Sequence, residues 1–135
     1  MNKQERVRAA FRREPVDRVP IALWRHFPVE DQTAAGLTKA VVAFQRQYDF
    51  DFVKVTPPSD YMVVDWGLTG EYRGSSEGVR EVTGRPIRSA SDWEKLRLLD
   101  PGKGSLGRQL DSMRLIGQEL AGEAPYLQTI FSPLS

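Results

Sequence analysis

An arginine and a histidine follow the first apolar run of the chain, Val19–Trp24. The guanidinium of Arg25 offers a rigid fork of N–H donors, which suits bidentate binding of a carboxylate. His26, the only histidine, has an ordinary pKa of about 6.5 and so suits proton transfer. We therefore take Arg25 as a candidate for carboxylate binding and catalysis, and His26 as a candidate catalytic residue. The alternatives are a salt bridge at the sheet rim for Arg25 and simple packing or capping for His26.

Polar side chains also accompany the second apolar run, Phe52–Val55. Lys54 lies within this run, and a lysine stripped of water on a buried face is costly unless it serves a function. At a strand end, the same side chain would only extend its ammonium group into solvent. Asp60 and Tyr61 follow the run and could bind a polar substrate, although Pro57–Asp60 is also ordinary turn chemistry. Lys54, Asp60 and Tyr61 are therefore candidate substrate-binding residues.

Helices and strands must alternate along the chain to position these side chains. Apolar residues recur three and four positions apart in several stretches, which is typical of amphipathic helices. Short apolar runs near prolines are typical of buried parallel strands. The predicted helices are Gln4–Arg12, Leu37–Tyr48 and Leu106–Leu120, and the predicted strands are Val19–Trp24, Phe52–Val55 and Tyr126–Phe131.

This order of elements predicts an α/β fold with a parallel sheet. Doubly wound sheets and (β/α)₈ barrels both begin in this way, and both bind ligands at the carboxyl ends of their strands. That edge would hold three segments: Arg25–Pro28, Thr56–Tyr61 and Phe131–Ser135. The candidate residues should therefore lie on one face of the fold.

A glycine-rich stretch and a serine-rich one interrupt the alternation. Residues 67–84 predict a small hairpin insert, with Tyr72–Arg73 and Val79–Val82 flanking a turn at Gly74–Gly78. Ser91 followed three residues later by Glu94 matches a capping box, so a short helix should begin there.

Neither glycine pattern predicts a nucleotide site. The glycines at 74 and 78 do not form the fingerprint of a dinucleotide-binding loop. The segment Gly102–Ser105 has the look of a phosphate loop, but it lacks the first glycine and the preceding strand.

Composition narrows the functional classes further. The 135 residues are 40% hydrophobic, which is enough to form a core. A net charge of +1 gives no reason to expect binding to nucleic acid or to a membrane surface. The sequence has no cysteine, so thiolate metal sites and disulfides are excluded within it. No signal peptide or membrane span is predicted, and we expect a cytoplasmic location.

Two segments of the chain resemble a known family. The segment Arg12–Ile21, R-R-E-P-V-D-R-V-P-I, is similar to the opening of the uroporphyrinogen decarboxylase family, where a first helix leads through R/G-E-x-V-D-R-x-P into the first barrel strand. The segment Pro125–Ser135 resembles the third strand of that family, P-L-I-G-F-A-G-A-P-F-T, and its two prolines keep their spacing.

The resemblance implies the N-terminal part of a (β/α)₈ barrel, with residues 1–135 supplying the first three strands. Such barrels need about 250 residues, so we expect the gene to continue beyond this chain. The resemblance also implies a carboxy-lyase that binds a tetrapyrrole or another carboxylate and needs no cofactor, because the substrate itself accepts the electrons. The full-length protein could form a homodimer.

The family motifs differ from this chain at the site itself. The family follows strand one with R-Q-A-G-R, and Arg25 matches only the first of those arginines. The family aspartate after strand two has no counterpart in Val55–Pro57. The alternatives are a corrinoid-linked methyltransferase of the same superfamily, whose zinc would be held by histidine and cysteine later in the protein, and a non-catalytic remnant.

Overall fold

A computed structural model describes residues 1–132 of the chain. The α-helices are α1 (Lys3–Phe11), α2 (Ala34–Tyr48) and α3 (Gly104–Leu120), and the strands are β1 (Val53–Val55), β2 (Thr69–Glu71), β3 (Glu81–Gly84) and β4 (Tyr126–Gln128). Short 3₁₀ turns lie at Glu30–Gln32, Val64–Trp66 and Ala90–Lys95. The predicted order of helices and strands is thus confirmed in outline, with one strand missing.

β1 and β4 form a parallel pair, with Val53 opposite Tyr126 and Val55 opposite Gln128. The predicted strands Phe52–Val55 and Tyr126–Phe131 are therefore parallel neighbours, although each is shorter than expected. The right-handed crossover rule applies to such pairs, and the intervening chain supplies α3 as the helical connection. The result is a mixed α/β fold with parallel strands packed against helices.

The core lies between this strand pair and two helices. Val53 and Val55 are buried among apolar side chains of α2 and α3. Those side chains form the apolar stripes that the helical period predicted. The buried cluster consists of Leu37, Val41, Val42, Val53, Val55, Ile116, Leu120 and Ala124. Because side chains alternate along a strand, Lys54 and Thr56 lie on the opposite face of β1, away from the helices.

The predicted strand Val19–Trp24 does not form, and this expectation was wrong. Ile21 makes a single backbone bond with the chain that leads into β1, from the amide of Asp51 to the Ile21 carbonyl oxygen at 2.9 Å. The Ile21 amide donates instead to the Asp51 carboxylate, also at 2.9 Å. A side chain has thus taken the place of the backbone partner that a second rung of the ladder would need. Val19 remains 73% exposed and Leu23 62% exposed.

The Asp51 carboxylate is the centre of an ion-pair network at the amino end of β1. Arg6 of α1 donates to Asp51 at 2.7 Å and to Asp17 at 2.7 Å, and Arg18 donates to Asp51 at 2.8 Å. Arg6 and Asp51 are both buried. The Asp17-Arg18 pair of the opening motif therefore ties the first helix and the segment at residues 19–26, which we call the extended segment, to the start of the sheet.

Within residues 67–84, β2 and β3 form an antiparallel pair. The strands lie at its ends, so Tyr72–Arg73 and Val79–Arg80 belong to the loop and not to the predicted strands. The expected capping box is also displaced by two residues: Ser89 is the cap and Asp92 its partner, with the Ser89 amide donating to the Asp92 carboxylate at 2.8 Å. Asp92 also accepts a hydrogen bond from the Arg88 amide, which further stabilises the observed cap.

Within the described residues, no helix combines the length and apolar character that a membrane crossing requires.

Candidate functional site

A cleft of about 650 Å³ separates the end of the extended segment from the tip of the hairpin. We call it the hairpin cleft. A cleft of this volume is within the range of small-molecule sites. It is lined by Trp24, Arg25, His26, Pro28, Tyr72, Ser75, Ser76, Glu77, Gly78 and Val79. Two of the candidates named from the sequence, Arg25 and His26, therefore lie together in it.

Arg25 has a largely unengaged guanidinium. Its Nε donates to the His26 carbonyl oxygen at 3.3 Å, and its guanidinium carbon lies 5.4 Å from the centre of the Phe27 ring. Among residues 1–132, no carboxylate forms an ion pair with it. The salt bridge that was the alternative explanation for Arg25 is therefore not seen in this part of the chain. The two terminal nitrogens can bind an anionic group of a ligand.

His26 is half-buried at the base of the hairpin cleft. Burial lowers its pKa, hydrogen bonding to the Pro57 backbone opposes that shift, and the positive charge of Lys54 lowers the pKa further. Its ring meets the Trp24 ring edge-on, with centroids 5.8 Å apart. The Nδ1 atom is buried and has no hydrogen-bond partner in the described structure. A neutral imidazole at neutral pH can accept a proton, and its protonated form is a stronger acid than usual.

Lys54 lies beside this site and does not line the hairpin cleft. Its ammonium sits 3.8 Å from the centre of the Trp24 ring, on the face of β1 away from the helices. A cation over the face of an indole is attracted by the ring quadrupole. Lys54 thus neither extends freely into solvent nor stands alone in an apolar interior; it fixes Trp24 and raises the local positive potential at His26.

Asp60 and Tyr61 lie elsewhere on this edge of the fold. Asp60 faces Arg80 of the hairpin, with 3.8 Å between Oδ2 and Nε. Tyr61 is buried and donates to the Thr129 carbonyl oxygen at 3.1 Å, and burial raises the pKa of its hydroxyl. Neither residue lines the hairpin cleft, so the five candidates do not form one cluster. The expected third segment, Phe131–Ser135, lies partly outside the described residues, which end at Ser132.

Asp31 is buried in the structure, although no sequence pattern marked it as a candidate. The residue is 3% exposed, and burial raises the pKa of its carboxyl group to about 6, while a hydrogen bond from Gln32 and the positive charge of Arg80 oppose this shift. Asp60 and Arg108 are the other charges that act on it. In the sequence, Asp31 precedes a helix cap and looks like a solvent-exposed turn residue, so no pattern could have identified it.

The segment Gly102–Ser105 does not form a phosphate site. The Ser105 amide, at the start of α3, donates to the Asp65 carboxylate at 2.7 Å. A Cβ on Gly104, whose φ is +58°, would collide with the same carboxylate. An anion from the chain itself therefore occupies the helix end where a phosphate would bind.

Within residues 1–132, no group of three histidine, cysteine, aspartate or glutamate side chains is arranged to hold a metal ion.

Comparisons with known proteins concern the family and the fold of the chain. The family model described as "Uroporphyrinogen decarboxylase (URO-D)" matches residues 2–135. Among solved structures, a methyltransferase from Methanosarcina mazei superposes with a TM-score of 0.74 over 99% of this chain, at 17% sequence identity. The chain spans 43% of the length of that protein. No curated protein matches the sequence.

Proposed function

Because the chain belongs to the uroporphyrinogen decarboxylase family, we propose that it forms part of a carboxy-lyase in which Arg25 binds a carboxylate of the substrate. The observation that supports this most directly is the position of Arg25 in the hairpin cleft, with its terminal nitrogens free of carboxylates in the described chain. A charge-assisted, two-pronged hydrogen bond to a carboxylate is the interaction for which a guanidinium is best suited.

The reaction would place two demands on this site. In decarboxylation the bond between the carboxylate carbon and the adjacent carbon of the substrate breaks, and carbon dioxide leaves. The electron pair stays on the adjacent carbon, which must then take up a proton. Arg25 would hold a carboxylate and stabilise negative charge as it develops. The imidazolium form of His26, beside Arg25 in the same cleft, would donate the proton.

The lowered pKa of His26 gives this assignment a pH signature. A lower pKa makes the imidazolium a stronger acid, but a less populated one at neutral pH. If His26 donates the proton, the rate should fall as the pH rises through a value below 6.5, the ordinary pKa of histidine.

The alternative within the same superfamily is transfer of a methyl group. A methyltransferase shares the fold of this chain, and at 17% identity that likeness concerns the fold alone. The two activities differ in their products, so an assay that detects released carbon dioxide together with methylated thiols separates them.

The test uses the whole gene product that carries this chain. Carbon dioxide release from uroporphyrinogen and from smaller carboxylic acids would be compared among the wild type, Arg25→Ala, Arg25→Lys and the control Arg88→Ala, an exposed arginine that does not line the cleft. Arg25→Ala should lower kcat/KM about 10- to 100-fold, the usual loss of a hydrogen bond between charged groups. Arg25→Lys keeps the positive charge but lacks the two-pronged guanidinium, so its kcat/KM should lie between those of the wild type and Arg25→Ala. Equal rates for Arg25→Ala and Arg88→Ala would refute the proposal.

A further inference from the structure

The hairpin cleft contains a negative charge as well as a positive one. Glu77 lines it opposite the extended segment that carries Arg25. In residues 1–132, neither side chain forms an ion pair, with the other or with any third residue. Two opposite charges therefore line one cleft of about 650 Å³ without pairing with each other.

The backbone at Glu77 is held in place by the turn in which it lies. Its amide donates to the Ser75 hydroxyl at 3.2 Å, and the Gly78 amide donates to the Ser75 carbonyl oxygen at 3.0 Å. The Tyr72 hydroxyl donates to the same carbonyl oxygen at 3.3 Å. Gly78 in turn packs directly against His26. The position of the Glu77 backbone relative to His26 is thus set by contacts on both sides.

The two arginines between the hairpin strands, Arg73 and Arg80, already have partners. Arg73 pairs with Glu71 at 3.1 Å and with Glu81 at 3.3 Å, and Arg80 faces Asp60. Lys54 lies on the Trp24 ring. Among the lining residues, Arg25 is thus the one permanent cation, and His26 adds no charge where it is neutral. A ligand with several carboxylates would find one cation here and one repelling carboxylate.

We infer that the hairpin cleft binds a small molecule that carries one carboxylate and one positive group rather than a polycarboxylate. Arg25 would bind the carboxylate, and Glu77 would bind the amine. Tyr72, Ser75 and Ser76 add hydroxyl groups around the same space. This inference rests on the proposed function, because it takes Arg25 as the carboxylate anchor, and it names the class of substrate that the same site selects.

Three matched probes of equal chain length test it on the whole gene product: 5-aminopentanoate, hexanoate, in which a methyl group replaces the ammonium, and hexanedioate, which carries a second carboxylate. Calorimetry should show that 5-aminopentanoate binds about tenfold more tightly than hexanoate, and that hexanedioate binds most weakly. Glu77→Gln should abolish the preference for the amine without weakening hexanoate, and Glu77→Lys should shift the preference to hexanedioate. Glu94→Gln, an exposed glutamate outside the cleft, is the matched control.

The outcomes separate this inference from the proposed function. If Arg25→Ala weakens all three probes but Glu77→Gln leaves their order unchanged, the carboxylate anchor stands and the dual-charge site is refuted. If Arg25→Ala changes nothing, the proposed function fails first. If hexanedioate binds the wild type best, the inference is wrong whatever the variants do. Thermal unfolding of each variant checks that the fold is intact.

Discussion

Gly78 lies so close to His26 that a Cβ at position 78 would fall 2.6 Å from the His26 Cβ. Gly78 also has a φ of +71°, a conformation that residues with a side chain rarely adopt. The hairpin tip thus rests directly on the histidine at the base of the cleft.

Substituting Gly78 should therefore displace the hairpin. Gly78→Ala meets both backbone strain and the clash with His26, whereas Gly74→Ala meets strain alone, because its φ is +81° and nothing lies within 4 Å of its Cβ. We expect Gly74→Ala to cost about 1 kcal/mol of stability, and Gly78→Ala to cost more and to weaken carboxylate binding in the cleft. Denaturant unfolding and calorimetry measure the two effects. Similar losses of binding in both variants would show that the contact between Gly78 and His26 does not shape the cleft.

The contact between Gly78 and His26 also shows how much of the site could be predicted from the sequence. The glycines at 74 and 78 predicted a turn, and the apolar run before Arg25 placed the two candidate residues at its end. Nothing in a linear pattern indicated that the turn would fold back onto His26, because the contact joins segments about fifty residues apart in the chain. Pairing across such distances depends on the whole packing arrangement.

Asp51 illustrates why the predicted strand Val19–Trp24 failed. The apolar run Val19–Trp24 was correctly recognised. The Asp51 carboxylate, however, binds the Ile21 amide that a neighbouring strand would otherwise use. Local composition predicts an extended conformation; it cannot show that a side chain will compete for the backbone. The helical stripes of α2 and α3 were predicted well, since their hydrogen bonds are local and their apolar faces repeat.

Removing the Asp51 carboxylate should destabilise the protein strongly. Burial alone would raise the pKa of Asp51, but the Ile21 amide and the two arginines together lower it. Asp51→Ala leaves the buried Arg6 without one of its partners, so we expect a loss of about 3–5 kcal/mol in the free energy of unfolding. Asp111→Ala, which breaks an exposed pair with Arg114, should cost at most about 1 kcal/mol. Denaturant titration of both variants in the whole gene product is the measurement, and equal costs would contradict the role given to the network.

The same lowered pKa predicts the direction of acid sensitivity. A carboxyl group with a lowered folded-state pKa stabilises the fold above its unfolded-state pKa of 3.8, and this contribution is lost as the pH falls through the lowered value. Wild-type stability should therefore decline below pH 4 more steeply than that of Asp51→Ala. If the stabilities of the wild type and Asp51→Ala fell equally with pH, the role given to the Asp51 carboxylate would be contradicted.

Asp31 should show the opposite pH dependence. Its pKa is raised to about 6, so its contribution to stability is fully present below pH 3.8 and is lost as the pH rises through about 6. Asp31→Asn removes this loss, and the variant should gain up to about 3 kcal/mol over the wild type at pH 7 and little at pH 3.5. Unfolding experiments at the two pH values test this. An equal effect at both would show that Asp31 is not protonated more readily in the folded protein.

The exposed apolar side chains of the extended segment predict self-association. Val19, Ile21 and Leu23 are spaced two apart and are 54–73% exposed. We expect residues 1–135 expressed alone to associate, and we expect the double variant Val19→Thr with Ile21→Thr to reduce the association. Sedimentation velocity gives the oligomeric state. Leu98→Thr, at a single side chain that is 99% exposed, is the control and should have no effect. A monomeric wild-type chain with a sharp unfolding transition would overturn this expectation.

The separation in sequence between paired strands also has a consequence for the order of folding. The hairpin joins positions 69 and 84, whereas the parallel pair joins positions 53 and 126. Closing the longer loop costs more chain entropy before stabilising contacts form, so local pairings form sooner than distant ones. The hairpin, which forms one wall of the cleft, should therefore form before the parallel pair of β1 and β4. During that interval the edges of β1 and β4 are open to other chains, and dilute refolding conditions should raise the yield of native protein.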